Sequence, residues 1–209
     1  MTPRGVASLV IATTNPDKVR EIRALLAESS VTLQTLADHP PLPEPVETGT
    51  TFEDNARIKA AAYAAALGAA LDDDTLVVAE DSGLVVDALD GAPGVHSARF
   101  LGAGASYPAR FAEIARRLAE RPGAPRTARF VCALAAANRA GALCFGTRGV
   151  VEGLIADVPA GDGGFGYDPI FFYPPYGRTL AEVTSEEKRA VAHRGQAFRA
   201  LIQWLDGRG

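Results

Sequence analysis

Residues 6–18, VASLVIATTNPDK, decide the class of fold. Val6–Ala12 is a short apolar run that is typical of a buried strand. Asn15, Pro16 and Asp17 then supply an N-cap, a proline at the first helical position and an acid in the first turn, which together predict the start of a helix. A buried strand that leads directly into a helix is typical of an α/β protein.

The rest of the chain alternates strands and helices at first and then changes to a hairpin. Residues 37–49 contain four prolines, which excludes a regular element there. Two apolar strands, 127–137 and 142–151, flank a turn that ends in Gly141 and predict an antiparallel hairpin. The sheet should therefore be mixed. The other predicted strands cover 31–36, 75–79 and 170–173, and the other predicted helices cover 51–71, 108–121 and a segment that opens at Thr184.

Length and composition exclude several classes of protein. The chain has 209 residues, which corresponds to one domain or two lobes, and we treat 1–209 as a single domain. A net charge of −4 argues against a nucleic-acid binder and against a binder of membrane surfaces. The apolar segment 58–71 is too short to span a bilayer. Cys132 and Cys144 lack the spacing of a metal site and favour a reduced, cytoplasmic protein.

The basic residues are unevenly distributed between arginine and lysine. Only three of the 21 are lysines, namely Lys18, Lys59 and Lys188. A lysine that persists in a chain so rich in arginine favours a position where a compact ammonium is required. All three lysines fall inside or next to segments with other chemical signals.

The sharpest chemical signal is the acidic pair Glu80-Asp81, which follows the apolar run 75–79. Open α/β sheets bind ligands at the carboxyl ends of their strands, and oxygen ligands beside a phosphate suit Mg²⁺. A turn closed by an aspartate side chain would leave the same pattern. A phosphatase of the haloacid dehalogenase type is excluded, because Asp81 is followed by Ser82-Gly83 and not by the required second aspartate.

Three further segments contain residues suited to a nucleotide. The strand-to-helix segment 13–18 offers free N–H groups and Lys18 to a phosphate. Asn55 and Lys59 share a face of the second helix, downstream of Glu47. The Gly-rich loop 163–169, followed by Lys188 and His193, could stack a base and read its edges. Each segment alone also fits a structural role: a helix cap, a solvated polar stripe, or core packing of Phe165 and Tyr167.

Taken together, these motifs resemble the inosine triphosphate pyrophosphatase family, whose members act on non-canonical purine nucleotides. The matching blocks keep the family's order over residues 12–196. They are ATTN with Lys18, ETGTTF at 47–52 with Asn55 and Lys59, EDSGL at 80–84, GAPGV at 91–95 with Ser97-Ala98-Arg99, GFGYDP at 164–169, and His193-Arg194-Gly195. Three positions depart from the common bacterial pattern: Thr14 replaces Gly, Glu80 replaces Asp, and Ala192 replaces Ser.

The resemblance implies an elongated mixed β-sheet flanked by helices, with two lobes and an active-site cleft between them, in a homodimer. It also implies Mg²⁺-dependent hydrolysis of dITP, ITP and XTP to the monophosphate and pyrophosphate. By position, Asp81 would accept the proton and bind the metal, Glu47 would be a second metal contact, and Glu80 is a second catalytic candidate ranked below Asp81. The implied substrate-binding residues are Thr13, Thr14, Asn15, Lys18, Lys59 and Ser82 for the triphosphate, Lys188 for the nucleotide, and Phe165, Gly166, Tyr167, Asp168, His193 and Arg194 for the base.

Two other functions remain open at this point. A nucleotide sensor would keep the pocket without turnover, but binding a triphosphate gains nothing from a general base, and the acidic pair therefore argues against it. A broad nucleoside triphosphate phosphatase would release orthophosphate in place of pyrophosphate. The products of dITP hydrolysis distinguish all three functions.

Overall fold

The computed structural model describes residues 5–207. Within that range it contains the predicted alternation of strands and helices. The strands are Ser8–Ile11 (β1), Thr32–Thr35 (β2), Thr75–Val86 (β3), Thr127–Asn138 (β4), Leu143–Ile155 (β5), Phe171–Tyr173 (β6) and Arg178–Thr179 (β7). The α-helices are Pro16–Leu25 (α1), Phe52–Leu67 (α2), Tyr107–Ala119 (α3), Ser185–Val191 (α4) and His193–Asp206 (α5).

The strands form one sheet in the order β2-β1-β3-β4-β5-β6-β7. β1 pairs in parallel with β2 and β3, whereas β6 pairs antiparallel with β5 and β7. β4 and β5 are joined by the predicted turn, in which the N–H of Asn138 donates to the carbonyl of Ala142 at 2.9 Å. The mixed sheet and the α/β class are therefore confirmed.

Strand β3 differs from the prediction in a way that matters for function. The sequence pattern ends this strand at Ala79, but β3 continues through Glu80 and Asp81 to Val86. The acidic pair thus lies in the middle of a strand and not at its carboxyl end. Both carboxylates are buried there beside cationic side chains, so the strand can continue through them.

Two smaller differences concern the ends of elements. Helix α2 ends at Leu67, four residues before the predicted end, because Gly68 takes a positive φ of 27°. The two-residue strand β7 was not predicted, since it is too short to show alternation.

The chain divides into two compact units, each with its own apolar core. Within the described residues, unit 1 contains 5–81, 132–149 and 194–207, and unit 2 contains 82–131 and 150–193. The core of unit 1 includes Leu9, Ile22, Leu76, Phe198 and Leu201. The core of unit 2 includes Leu84, Ile114, Phe130, Phe171 and Leu180. None of the helices in the described part of the chain is both long and apolar enough to cross a membrane.

Candidate active site

Unit 1 brings Asp81 together with three side chains from the segment 47–59. Thr51 caps α2 by accepting a hydrogen bond from the N–H of Asp54, and Asn55 and Lys59 follow one turn apart. The Lys59 ammonium donates to Glu47 Oε1 at 2.8 Å and to Asp81 Oδ1 at 3.3 Å. The Asn55 amide donates to Asp81 Oδ2 at 3.1 Å. One cation therefore neutralises two predicted metal ligands.

The electrostatics of this group favour Asp81 as a base. Burial raises the pKa of Asp81, and the Lys59 ammonium only partly opposes that effect. Burial also acts against the charge of Lys59, but Asp81 and Glu47 outweigh it and raise the pKa of Lys59. Asp81 is consequently a better proton acceptor than an ordinary aspartate, beside an ammonium that stays charged.

The residues present fit a magnesium ion that is shared with a substrate. No group of three or more His, Cys, Asp or Glu side chains among residues 5–207 is arranged to hold a metal. Mg²⁺ commonly uses only one or two carboxylates, with phosphate oxygens and water completing its shell. Within residues 5–207, each oxygen of Asp81 accepts from a single donor, Lys59 or Asn55, which leaves acceptor capacity on both. Asp81 is thus a suitable ligand, and Glu47 as a second ligand stays a prediction.

Glu80 has the opposite environment. Adjacent residues of a strand point to opposite faces, and Glu80 meets Lys18 of α1 and Arg194 of α5 while Asp81 meets residues of α2. Burial would raise the pKa of Glu80, but Arg194 and Lys18 outweigh it and hold that pKa well below its usual range. Glu80 is therefore ionised and a weak proton acceptor.

The predicted phosphate-binding segment 13–18 forms a capped helix start. Asn15 Oδ1 accepts from the N–H groups of Asp17 and Lys18 at 2.9 and 3.2 Å, and Thr13 Oγ1 accepts from the N–H of Asn15 at 3.2 Å. Thr13 and Thr14 also line a cavity of about 730 Å³ in unit 1. The structure thus gives Thr13 and Asn15 a local role in shaping the turn, and their contact with a phosphate stays a prediction.

In unit 2, Asp168 organises the Gly-rich loop. Its Oδ2 accepts from the N–H of Phe165 at 2.8 Å and from the Lys188 ammonium at 2.6 Å. The same ammonium lies 4.8 Å from the centroid of the Phe165 ring. Gly166 has a positive φ of 68°, which favours glycine in this loop. Lys188, which lies 20 residues after Asp168 in the sequence, therefore joins Phe165 and Asp168 in one cluster.

Tyr167 occupies a different position from the one predicted for a stacking ring. It is only 4% exposed, its ring packs edge-on against Tyr107, and its hydroxyl donates to the Ser97 carbonyl at 2.8 Å. The structure therefore gives Tyr167 a packing role in the core of unit 2, and Phe165, which is half-buried, is the better candidate for stacking. His193 is also buried, and its ring stacks on Phe130 at 5.0 Å between centroids.

Comparison with known proteins identifies the family. The model of the Ham1 family matches residues 9–204. The chain belongs to the Ham1 family. It is 49% identical, over 92% of its length and 94% of the relative's, to a dITP/XTP pyrophosphatase of Exiguobacterium sp.. It is 45% identical to a protein of the same name from Geobacter sulfurreducens, covering 96% of this chain and 98% of the relative. The predicted family is therefore confirmed.

Solved structures of the Ham1 family share the fold. A HAM1 protein from Coxiella burnetii superposes with a TM-score of 0.86 at 36% identity, over 96% of this chain and 99% of that one. A nucleoside-triphosphatase, or dITP/XTP pyrophosphatase, from Mycobacterium abscessus superposes with a TM-score of 0.73 at 44% identity, over 93% of this chain and 98% of that one.

Sequence reasoning missed some of the residues that surround the acidic pair in this Ham1-family chain. Asn55 was recognised as a neighbour of Lys59 on α2 but not as a partner of Asp81. Cys132 of β4 and Glu21 of α1 carried no motif, yet Cys132 lies 3.0 Å from Glu80 and Glu21 lies 2.6 Å from Arg194. Of these contacts, only the one between Asn55 and Asp81 had a signal in the sequence, namely the helical spacing of Asn55 and Lys59.

The close contact between Gly164 and Asp168 in the Gly-rich loop leads to a prediction about stability. Gly164 has a φ of 67°, and a Cβ at that position would collide with Asp168 Oδ2. We expect Gly164→Ala to lower the free energy of unfolding by about 1–2 kcal/mol, because alanine is strained in a left-handed backbone conformation, and by a further ~1–3 kcal/mol, because the added methyl group overpacks the loop. Chemical denaturation measures the loss.

Gly177→Ala is the matched control for this substitution. Gly177 has a similar φ of 62°, but nothing lies within 4 Å of a Cβ there. It should lose only the backbone contribution. Equal losses in the two variants would show that the contact with Asp168 does not constrain the loop.

Proposed function

We propose that the protein hydrolyses non-canonical purine nucleoside triphosphates (dITP, ITP and XTP) to the monophosphate and pyrophosphate, with Mg²⁺, and so removes them from the nucleotide pool. The observation that carries the proposal is Asp81, a buried carboxylate of raised pKa with acceptor capacity on both oxygens, beside Lys59 and Glu47. The names of the Exiguobacterium and Geobacter relatives, dITP/XTP pyrophosphatase, support the same activity.

In the proposed mechanism Asp81 accepts the proton of the attacking water. Its raised pKa strengthens it as a base, and Asn55 fixes the carboxylate by donating to Oδ2. Mg²⁺, when bound by Asp81 and Glu47, would supply a positive charge that polarises the phosphoryl group. The water oxygen bonds to the α phosphorus, the bond from that phosphorus to the oxygen bridging the α and β phosphates breaks, and pyrophosphate is the leaving group.

The lysines stabilise the charge of the triphosphate and of the departing pyrophosphate. Lys59 is charged and buried beside Asp81, and Lys18 stands in the first turn of α1, where the helix N-terminus also favours anions. Ser82, the next residue of β3 after Asp81, is proposed to hold the phosphates with them.

We assign recognition of the base to the residues of the predicted set. Phe165 offers a ring for stacking, and His193 and Arg194 offer N–H donors. Hypoxanthine and xanthine carry a 6-oxo acceptor, whereas adenine carries a 6-amino donor, so a site of donors would select against adenine. Guanine shares the 6-oxo group, and its exclusion must depend on its 2-amino group.

The quaternary structure and location follow the family resemblance. We propose a cytoplasmic homodimer whose partner molecule is the purine nucleotide and not a nucleic acid or a membrane, in keeping with the net charge of −4. Sedimentation of the purified protein should give twice the mass of one chain, and a single-chain mass would contradict the dimer.

One assay tests the proposed reaction. Incubation with dITP and Mg²⁺ is expected to give dIMP and pyrophosphate in equal amounts, because the charges assembled in unit 1 suit a whole triphosphate. Chromatography resolves the nucleotides, and a phosphate assay with and without added pyrophosphatase identifies the inorganic product. Chelation of the metal should stop the reaction. Primary release of dIDP and orthophosphate would support the broad phosphatase in its place.

A further inference from the structure

The Glu80 carboxylate accepts three hydrogen bonds and forms an ion pair with one further cation. Arg194 Nε and Cys132 Sγ lie 2.8 and 3.0 Å from Oε2. Arg194 Nη2 and Lys18 Nζ lie 2.8 and 3.1 Å from Oε1. A carboxylate offers about four lone-pair sites, two on each oxygen; hydrogen bonds from Arg194 and Cys132 take three of them, and the Lys18 ammonium forms an ion pair with the oxygen that carries the fourth. Glu80 is only 4% exposed, and water has little access to it.

The neighbouring carboxylate, Asp81, accepts fewer hydrogen bonds than Glu80. Asp81 accepts one hydrogen bond on each oxygen, from Lys59 and from Asn55. A proton acceptor or a metal ligand needs a lone pair directed at the water or the ion. Asp81 has that capacity, whereas Glu80 would have to release a buried cation first.

We infer that Glu80 is a positioning residue that holds Lys18 and Arg194 in place, with the Cys132 thiol as a further hydrogen-bond donor, and that it neither accepts the proton nor binds the metal. The inference rests on the proposed function only in that Lys18 and Arg194 are assigned to the substrate. The two cations belong to different helices, α1 and α5, and Glu80 of β3 joins them within unit 1.

The arrangement explains why the charge of Glu80 matters. Arg194 is only 2% exposed and also contacts Glu21 at 2.6 Å, so it keeps one carboxylate when Glu80 is neutralised. Among the described contacts of Lys18, the ion pair with Glu80 is the one that fixes its ammonium. Loss of the Glu80 charge therefore leaves two like charges close together and releases Lys18.

Cys132 completes the arrangement as a neutral donor. Burial raises the pKa of its thiol well above the usual value, so the S–H proton remains in place. Its partner oxygen also accepts from Arg194 Nε, which means that the thiol fixes the tilt of the carboxylate against the guanidinium. Cysteine is thus used here for its hydrogen bond and not for its nucleophilicity.

Steady-state kinetics with dITP and Mg²⁺ separate a positioning role from a catalytic one. We expect Glu80→Gln to raise KM about tenfold or more, the equivalent of one lost charge-assisted hydrogen bond, and to leave kcat within about threefold. Asp81→Asn should instead lower kcat strongly and change KM little. A fall in kcat for Glu80→Gln as large as for Asp81→Asn, with KM unchanged, would overturn the inference.

The cysteine variants keep the test informative if Glu80→Gln does not fold. Cys132→Ala, which removes the donor, should raise KM several-fold, and Cys132→Ser, which keeps a donor, should recover most of that change. Cys144→Ser is the matched control, because the Cys144 thiol contacts only the nearby Ala142 carbonyl among its described hydrogen bonds. If alanine at position 132 leaves KM as in the wild type, the thiol does not position Glu80.

A measurement without substrate distinguishes this inference from the proposed function. The Nε–H resonance of Arg194, assigned with Arg194→Lys, should exchange slowly with water in the wild type and at least about tenfold faster in Glu80→Gln, because that proton loses its charged acceptor. If this proton exchanges slowly but the protein fails to hydrolyse dITP, the proposed function is rejected and the positioning role of Glu80 is retained. Fast exchange in the wild type would reject the positioning role of Glu80.

Discussion

Asp81→Asn is expected to lower kcat for dITP by about 10²–10⁴-fold, the usual cost of losing a general base, while nucleotide affinity stays within about an order of magnitude. The amide keeps the shape of the side chain but cannot accept the proton. Asn55 donates to one oxygen of Asp81 and Lys59 to the other, so the introduced amide nitrogen must face one of these donors. A modest loss of stability should therefore accompany the loss of turnover.

Kinetics at saturating Mg²⁺ and direct titration of dITP into the variant measure the two quantities separately. Asp72→Asn is the matched control, because Asp72 is exposed and lies shortly before β3 in the sequence. It should keep wild-type turnover. If Asp81→Asn also turns over at nearly the wild-type rate, another residue is the base, and Glu80 is the first residue to reconsider.

The class of fold could be predicted because its signals are local. Asn15 caps α1 as the sequence indicated, and the turn that ends at Gly141 joins β4 to β5. The length of β3 could not be predicted in this way. A strand that continues through Glu80 and Asp81 depends on cations from α1, α2 and α5, and those contacts are distant in the sequence.

The candidate site likewise has parts that the sequence could predict and parts that depend on tertiary contacts. The pattern identified the charged residues, because lysines in an arginine-rich chain and two adjacent acids stand out by type. The residue types alone do not distinguish the two acids, and only the family resemblance ranks Asp81 above Glu80. The difference between Glu80 and Asp81 lies in how many donors each one meets, which is set by tertiary contacts of Cys132, Arg194 and Asn55. Tyr167 is a second case that sequence could not decide. An aromatic residue in a Gly-rich loop is equally suited to stacking on a base and to packing in an apolar core.

Lys59→Met is expected to destabilise the metal-free protein by about 3–5 kcal/mol, because it leaves two carboxylates without their shared cation. Lys59 contacts Glu47 at 2.8 Å and Asp81 at 3.3 Å, and all three side chains are largely buried. For a chain of this length the loss corresponds to a fall in Tm of roughly 6–20 °C. The deficit should shrink as the pH falls, because protonation of either carboxylate relieves the unpaired charge.

Mg²⁺ should restore more stability to Lys59→Met than to the wild type. An ion that binds the native carboxylates and not the unfolded chain stabilises the fold, and in the variant it no longer competes with an ammonium for Glu47 and Asp81. Thermal denaturation with and without Mg²⁺ measures both effects without any turnover. Arg57→Met on the same helix is the control, since the Arg57 side chain is 57% exposed and pairs only weakly with Asp54 at 3.8 Å. A variant whose Tm gains no more from Mg²⁺ than the wild type gains would exclude Glu47 and Asp81 as the metal ligands, and the positive charge required for phosphoryl transfer would then have to come from the lysines alone.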